Sequence, residues 1–156
     1  PIGSRGLGDV YKRQVKSLFF LTQQLAPLMR ASATPEQPAK VINIASTDGL
    51  SNSRIETYSY SASKAAVIHL TRRLANRLAE DNIRVNAIAP GAFASNMNIW
   101  ARDNPEGVAP RIPAKRIGKP DDIAGTAVYM CSRAGDFLLG ATIPLDGGTV
   151  YGTLQG

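Results

Sequence analysis

The chain has 156 residues, of which 44% are hydrophobic and 19% are charged. This length and composition are sufficient for one globular domain with an apolar core. No apolar run approaches the ~20 residues of a membrane-spanning helix, and the first residues lack a signal-peptide pattern, so we expect a cytoplasmic protein without a membrane partner.

Charge and residue usage argue against two further classes of function. The formal net charge is +6, but the basic residues are spread over a helix, a strand and a loop, without the interleaved aromatic residues of nucleic-acid-binding surfaces. Cys131 is the single cysteine, and its helical spacing predicts a buried side chain. His69 has no ligand partner at metal-binding spacing. We therefore predict no nucleic-acid partner and no metal.

The first part of the chain predicts a leader, a helix and a strand. Residues 1–14 are polar and lack periodicity, and we interpret them as a disordered, non-native leader. Apolar residues follow the helical period from Val15 to Met29, with Pro27 as a local distortion near the end. After a polar loop, the β-branched run from Val41 to Ala45 predicts a buried strand, and Ser46 lies at its carboxyl end.

Helices and strands continue to alternate in the rest of the chain. A valine and leucines form one stripe of the next predicted helix, and arginines cover its other side. The predicted elements are a helix over 57–79, a strand over 83–89 ending at Pro90-Gly91, a helix over 120–132, and a strand over 140–145 ending at Asp146-Gly147-Gly148. This order is typical of an open α/β sheet, in which ligands bind at the carboxyl ends of the strands.

Tyr60 and Lys64 are four positions apart in the long helix, so they share one helix face. An ammonium beside a phenol stabilises the phenolate, which would make Tyr60 a usable general acid or base. Alone, such a pair would be interpreted as an exposed tyrosine with an exposed lysine. Ser46 and Pro90-Gly91 change that interpretation, because each follows a strand at the edge where ligands bind.

Taken together, these motifs resemble the carboxyl-terminal part of the short-chain dehydrogenase/reductase family. The family has the same order: strand and Ser46, helix with Tyr60 and Lys64, strand and Pro90-Gly91, helix, strand and Asp-Gly-Gly. The resemblance runs from about residue 15 to residue 148. The segments most similar to the bacterial 3-oxoacyl-[acyl-carrier-protein] reductase branch, particularly to its rhamnolipid-synthesis members, are 41–49, 56–67 and 87–97.

The resemblance implies a Rossmann-like doubly wound parallel sheet over residues 15–156, here about three strands with flanking helices and without the amino-terminal half. It implies an oxidoreductase that uses NADP or NAD and acts on a carbonyl, a secondary alcohol or a 3-oxoacyl thioester. In the family the two long helices form a subunit interface, which implies a homodimer or homotetramer. Residues 96–119 correspond to the family's mobile lid over the substrate.

The resemblance also implies roles for individual residues. Tyr60 would donate a proton to the carbonyl oxygen, Ser46 would hold that oxygen, and Lys64 would support Tyr60 and bind the nicotinamide ribose. Hydride arrival leaves negative charge on that oxygen, which explains why the chemistry needs a hydrogen-bond donor and a proton source. The residues that would contact the cofactor are Tyr60, Lys64, Pro90, Gly91, Phe93 and Ser95.

Two neighbouring residues are alternatives for these roles. Thr47 would give the serine-to-tyrosine spacing that is commoner in the family, but Ser46 lies where the strand pattern ends, and a loop accommodates one extra residue. Tyr58 is a second phenol, but Ala62 stands four positions after it, so only Tyr60 has a lysine partner.

The resemblance ends at the Gln14/Val15 junction. Gln14 stands where the family carries its catalytic asparagine, and the glycines within 3–8 follow no apolar strand, so we do not interpret them as a nucleotide-binding turn. Exposed sheet edges and apolar faces would then make the isolated chain poorly soluble or domain-swapped, and at best weakly active. The alternative is a short non-catalytic oligomerisation or regulatory protein derived from the family.

Overall fold

The sheet of this protein consists of three parallel strands. The computed structural model describes residues 12–52, 56–96 and 98–152. The strands within them are β1 (Ala39–Ile44), β2 (Ile83–Pro90) and β3 (Thr142–Leu145), in the spatial order β1-β2-β3. This arrangement, with its flanking helices, confirms the predicted α/β fold.

The strand register brings the three carboxyl ends to one edge of the sheet. Val41 of β1 pairs with Val85 of β2, and Ala87 of β2 pairs with Thr142 of β3. Parallel pairing requires a crossover between consecutive strands, and here helices supply it. The turns that follow the three strands are therefore neighbours.

Helices occupy most of the connections in the described part of the chain. The α-helices are α1 (Ser17–Ser32), α2 (Tyr58–Leu78), α3 (Ile99–Asp103), α4 (Pro105–Val108) and α5 (Pro120–Cys131). A π-helix, Lys12–Lys16, leads into α1. Residues 1–11 of the predicted leader lie outside the described residues. Residues 12–14 are helical, in contrast to the disorder predicted for them.

The core lies between α2 and the sheet. Val67 and Ile68 of α2 pack in one buried cluster with small residues of β2, Ala87 and Ala89. Closer to the amino ends of the strands, Leu78 belongs to a second cluster. Side chains of this size allow a close helix-to-sheet approach, and the apolar stripe predicted for this helix is confirmed.

Several apolar side chains of α1 are exposed. Phe20 is 46% exposed, Leu21 62% and Leu28 69%. Cys131 is also exposed, so its predicted burial was wrong. The helical period identifies an apolar stripe on α5, but Val128 beside Cys131 is 69% exposed, because no described element covers that side of the helix. None of the described helices is long and apolar enough to cross a membrane.

Asp122 stabilises the start of α5 through two contacts. Its carboxylate accepts hydrogen bonds from the Arg116 guanidinium at 2.6 and 2.9 Å and from the Lys119 N–H at 2.7 Å. These hydrogen bonds hold the pKa of the Asp122 carboxyl well below its usual value of 3.8. The bonds from Arg116 have the larger effect, and the bond from Lys119 has the next largest. The neighbouring Asp121 makes no such bonds among the described contacts.

We predict that Asp122→Ala lowers the urea midpoint of unfolding at pH 7 more than Asp121→Ala does. Both substitutions remove a carboxylate from the positive end of the α5 dipole, but only the first removes the ion pair and the cap. A carboxyl with a depressed folded pKa stabilises the protein above its unfolded pKa of 3.8, and this stabilisation is lost as the pH falls below that value. The difference between the variants should therefore shrink at about pH 3. Equal losses at pH 7 would contradict this role.

Candidate active site

The turns after the three strands are joined by hydrogen bonds. The hydroxyl of Thr47, after β1, donates to the carbonyl oxygen of Pro90 at 3.4 Å. The N–H of Gly91, after β2, donates to the carbonyl oxygen of Leu145 at 3.0 Å. The sheet edge thus gathers the three turns that the sequence analysis associated with chemistry.

Ser46 begins the turn that follows β1. Its backbone is extended, with φ −164° and ψ 156°, and it precedes the short 3-10 helix Thr47–Gly49. Its Oγ accepts a hydrogen bond from the Asp48 N–H at 3.2 Å. A hydroxyl can accept and donate at the same time, so Ser46 retains a hydrogen for a carbonyl oxygen, whereas Thr47 directs its hydrogen at Pro90. This difference supports Ser46 over Thr47.

Gly49 allows this turn to lie directly on α2. A Cβ at position 49 would lie 2.6 Å from the carbonyl carbon of Lys64 and 2.7 Å from the nitrogen of Ala65. Main-chain atoms inside a helix cannot move aside, so the position requires glycine. The close approach holds the turn that carries Ser46 against the part of α2 that carries Lys64.

Lys64 lies on the buried face of α2 and is 8% exposed. Its Nζ donates a hydrogen bond to the carbonyl oxygen of Ile44 at 2.9 Å and lies 5.5 Å from the centroid of the Tyr60 ring. That second distance is within the range of a cation–π interaction. Burial lowers the pKa of the Lys64 ammonium. The structure therefore brings the Tyr60 and Lys64 side chains together, as the spacing predicted.

Tyr60 and Tyr58 differ in their surroundings. Tyr58 is 60% exposed, whereas Tyr60 is half-buried at the start of α2. The hydroxyl of Ser63 donates to the carbonyl oxygen of Tyr60 at 2.7 Å, which satisfies a main-chain acceptor in the same helical turn. Of the two phenols, only Tyr60 has the lysine contact.

The turn after β2 is packed against two distant segments. A Cβ on Gly91 would lie 2.7 Å from the Cβ of Asp146, so glycine permits the close approach of this turn to the turn after β3. Phe93 forms a parallel bridge with Gly118, and the Gly118 N–H donates to the carbonyl of Ala92 at 2.9 Å. A Cβ on Gly118 would lie 2.2 Å from the Phe93 ring. Gly118 thus fixes where this ring lies.

Ser95 lies farther along the same segment and is exposed. Its Oγ accepts a hydrogen bond from the Asn98 N–H at 3.1 Å, which closes a turn before α3. The structure therefore gives Ser95 a local structural contact, and its predicted contact with the cofactor stays a prediction.

Two concave regions border Phe93 and Lys64. A cavity of about 200 Å³ lies between Phe93, Ile112, Gly118 and Asp146. A larger groove of about 540 Å³ runs between α1 and β1, where Leu21 and Leu25 face Ile42, and Lys64 lies along it. Phe93 and Lys64 therefore border space for a ligand, whereas Ser46 and Tyr60 line neither region.

Sequence reasoning missed three residues that shape this site. Gly49 and Gly118 were not singled out, although both stand where another chain segment approaches closely. Asn43, inside the apolar run before Ser46, was also not singled out, although it is 4% exposed and hydrogen-bonded to Thr71 of α2. A polar residue inside a predicted buried strand was the available signal for Asn43.

The residues present fit the nicotinamide and ribose end of a dinucleotide. Lys64 supplies an ammonium that borders the groove of about 540 Å³ and suits a hydroxyl-bearing sugar. Phe93, beside the smaller cavity, supplies an aromatic face for a flat ring. No cluster of metal-ligating side chains occurs among the described residues.

The fold and these motifs define an α/β protein of the dehydrogenase and reductase type. The chain belongs to the short-chain dehydrogenase/reductase family, because the family model described as "Enoyl-(Acyl carrier protein) reductase" matches residues 4–150. The resemblance stated from the sequence motifs is thereby confirmed.

Individual relatives agree with this assignment. The chain is 41% identical to the rhamnolipids biosynthesis 3-oxoacyl-[acyl-carrier-protein] reductase of Pseudomonas aeruginosa, over 92% of this chain and 57% of that protein. It is 43% identical to the 2-dehydro-3-deoxy-D-gluconate 5-dehydrogenase of Dickeya dadantii, over 90% of this chain and 55% of that protein. The chain spans about half the length of the curated relatives it matches.

A solved structure shows the same similarity in three dimensions. The Pseudomonas aeruginosa RhlG/NADP active-site complex is 40% identical and superimposes with a TM-score of 0.89. The superposition covers 95% of this chain and 59% of that one. The three strands and their helices therefore correspond to part of a larger domain in that protein.

We predict that Gly118→Ala destabilises the protein by about 1–3 kcal/mol, because the new methyl group would overlap the Phe93 ring and force it to move. Gly125→Ala is the matched control, since a Cβ on Gly125 in α5 meets no atom within 4 Å. That control should be neutral or stabilise by about 0.5–1 kcal/mol, as alanine does in a helix. Urea unfolding of the two variants measures both effects, and equal midpoints would show that Phe93 is not held by Gly118.

Proposed function

We propose that the protein is an oxidoreductase that transfers a hydride between NADP or NAD and a carbonyl or secondary alcohol, with 3-oxoacyl thioesters as the substrate class. In the reducing direction the carbonyl carbon receives the hydride and the carbonyl oxygen receives a proton. The products are a secondary alcohol and the oxidised dinucleotide. The observation that carries the proposal is the buried ammonium of Lys64 beside the ring of Tyr60, next to the ends of three parallel strands.

Tyr60 supplies the proton. Its position near the start of α2 leaves the phenol half-buried, so that it is accessible to a substrate and screened from bulk water. The Lys64 charge lies 5.5 Å from the ring centroid and favours the phenolate that remains after proton transfer. The Tyr60 hydroxyl is regenerated by a proton from solvent before the next turnover.

Ser46 orients the carbonyl oxygen. Its hydroxyl hydrogen is directed at no acceptor among the described contacts, and its Oγ is held by the Asp48 N–H at 3.2 Å. A donor fixed in this way stabilises the charge that develops on oxygen without reorganising during the reaction. Thr47 keeps the neighbouring turn in place through its contact with Pro90.

The dinucleotide supplies or accepts the hydride when it is bound. Lys64 and Tyr60 would hold its ribose hydroxyls, the Pro90-Gly91 turn would approach the nicotinamide, and Phe93 would contact the ring. Ser95 would contact the carboxamide or the phosphates. The buried ammonium of Lys64 supports the assignment of the ribose contact.

The choice of substrate rests on the segment between β2 and α5. Ala101, Val108 and Ile112 form a buried apolar cluster there, packed against Ala92 of the turn after β2. Ile112 of this cluster also lines the cavity beside Phe93, and an apolar side chain there suits an acyl chain better than a charged sugar acid. The Pseudomonas aeruginosa relative, named as a 3-oxoacyl-[acyl-carrier-protein] reductase, supports the same substrate class.

Subunits associate through α1 and α2 in a homodimer or homotetramer. Phe20 and Leu28 of α1 are 46% and 69% exposed, and exposed apolar side chains of this size are stabilised by burial against a partner. The same side chains favour the alternative function, a non-catalytic oligomerisation or regulatory protein. That alternative requires no dinucleotide, so turnover of NADPH or NADH distinguishes the two.

We predict that Tyr60→Phe in the full-length protein lowers kcat by about 10²–10⁴, because it removes the proton donor. Dinucleotide affinity should be largely retained, since the ring and Lys64 remain. Tyr58→Phe is the matched control and should have little effect, because Tyr58 is 60% exposed and has no lysine partner. Steady-state kinetics and fluorescence titration with NADPH measure both quantities. Unchanged turnover in the Tyr60 variant would overturn the mechanism.

A second pair of substitutions decides between the two hydroxyls. Ser46→Ala should lower kcat by about 10²–10³, the usual loss when one donor to a developing oxyanion is removed. Thr47→Val preserves the side-chain shape and removes only the contact with Pro90, so its effect on kcat should be much smaller. Kinetics with a 3-oxoacyl thioester and NADPH give the comparison. A larger loss for Thr47→Val would assign the role to Thr47.

A further inference from the structure

A buried polar contact joins β1 to α2 two helical turns beyond Lys64. The side-chain nitrogen of Asn43 donates to the hydroxyl oxygen of Thr71 at 2.9 Å, and that hydroxyl donates to the carbonyl of Val67 at 2.8 Å. Asn43 is 4% exposed and Thr71 is fully buried. The reaction proposed above uses neither residue.

The rest of the buried stripe of α2 is largely apolar in character. Val67, Ile68 and Ala75 contact the sheet through dispersion and hydrophobic burial, which are non-directional and tolerate small displacements. A hydrogen bond tolerates much less, because its energy falls steeply with distance and angle. The contact between Asn43 and Thr71 is therefore the side-chain contact that best specifies where α2 lies along β1.

The position of α2 matters because Lys64, on the same helix as Thr71, is hydrogen-bonded to Ile44, the residue that follows Asn43 in β1. Lys64 bonds to the carbonyl of Ile44, and Thr71 bonds to the side chain of Asn43. The two helix residues are seven positions apart, about two turns or 10.5 Å, and lie on one face. A rotation or shift of α2 that breaks one bond also strains the other.

We propose that Asn43 and Thr71 are positioning residues that set the register of α2 on β1 and thereby hold Lys64 at Ile44 and beside Tyr60. The proposal rests on the proposed function for its kinetic consequence, and on geometry alone for the placement of Lys64. A displacement of about 1 Å at a reacting group can lower a rate by about a hundredfold, so loss of this contact reaches the chemistry without touching the substrate.

The test uses three variants of the full-length protein. Thr71→Val keeps the shape and removes the hydroxyl, and it should lower kcat by about tenfold. It should also raise the rate at which acetic anhydride acylates Lys64, measured by peptide mass spectrometry against the exposed Lys119 as internal reference. Thr71→Ser restores the hydroxyl and should return both quantities towards wild type.

The double variant Asn43→Leu with Thr71→Val separates positioning from stability. It leaves no buried polar group without a partner, so its unfolding midpoint should be close to that of the wild type. The proposal requires that kcat stays low and that acylation of Lys64 stays fast in this stable variant. Wild-type values of both quantities would show that the contact acts only on stability and would overturn the proposal.

The acylation measurement does not depend on turnover. A wild-type protein that fails to oxidise NADPH would refute the proposed function, while the Lys64 acylation rates of the variants would still decide the positioning proposal. Acylation rates that are the same in Thr71→Val, Thr71→Ser and wild type would refute the positioning proposal even in an active enzyme.

Discussion

The candidate site depends on one buried charge, the ammonium of Lys64. Removing a cation from water is costly unless polar groups replace the lost hydration, and Lys64 is 8% exposed. The carbonyl oxygen of Ile44 and the face of the Tyr60 ring supply part of that replacement. Both contacts depend on the position of α2 along β1. Burial of the Lys64 charge therefore links the electrostatics of the site to the packing of the helix.

Parallel pairing explains why residues so far apart in the chain meet. The central strand β2 is largely buried, and its residues are apolar except for Arg84 and Asn86. These two side chains donate hydrogen bonds to the main chain of Asp136 and Leu138, in the segment before β3. Polar side chains of the site are therefore confined to the strand ends and to α2, where the main chain turns and hydroxyls have partners. The bonds from Thr47 to Pro90 and from Gly91 to Leu145 then hold the turns at the edge.

Local periodicity was sufficient to predict the strands, the longer helices and the pairing of Tyr60 with Lys64, because each depends on residues a few positions apart. The contacts of Gly118 with Phe93 and of Asn43 with Thr71 span 25 and 28 positions and depend on how the segments pack. Cys131 shows the same limit. Its spacing identifies a helix face correctly, but spacing carries no information on whether another element covers that face.

The carbonyl oxygen of Ile44 belongs both to the groove along β1 and to the candidate site. The N–H of Ala45 donates to Ile88 of β2, so the main chain of the preceding residue, Ile44, points away from β2 and towards the groove beside α1. The Lys64 Nζ donates its hydrogen bond to the Ile44 carbonyl oxygen on that side. The chemistry proposed for Lys64 is therefore sensitive to what pairs with this side of β1, because a strand there would share the carbonyl oxygen of Ile44 with the ammonium.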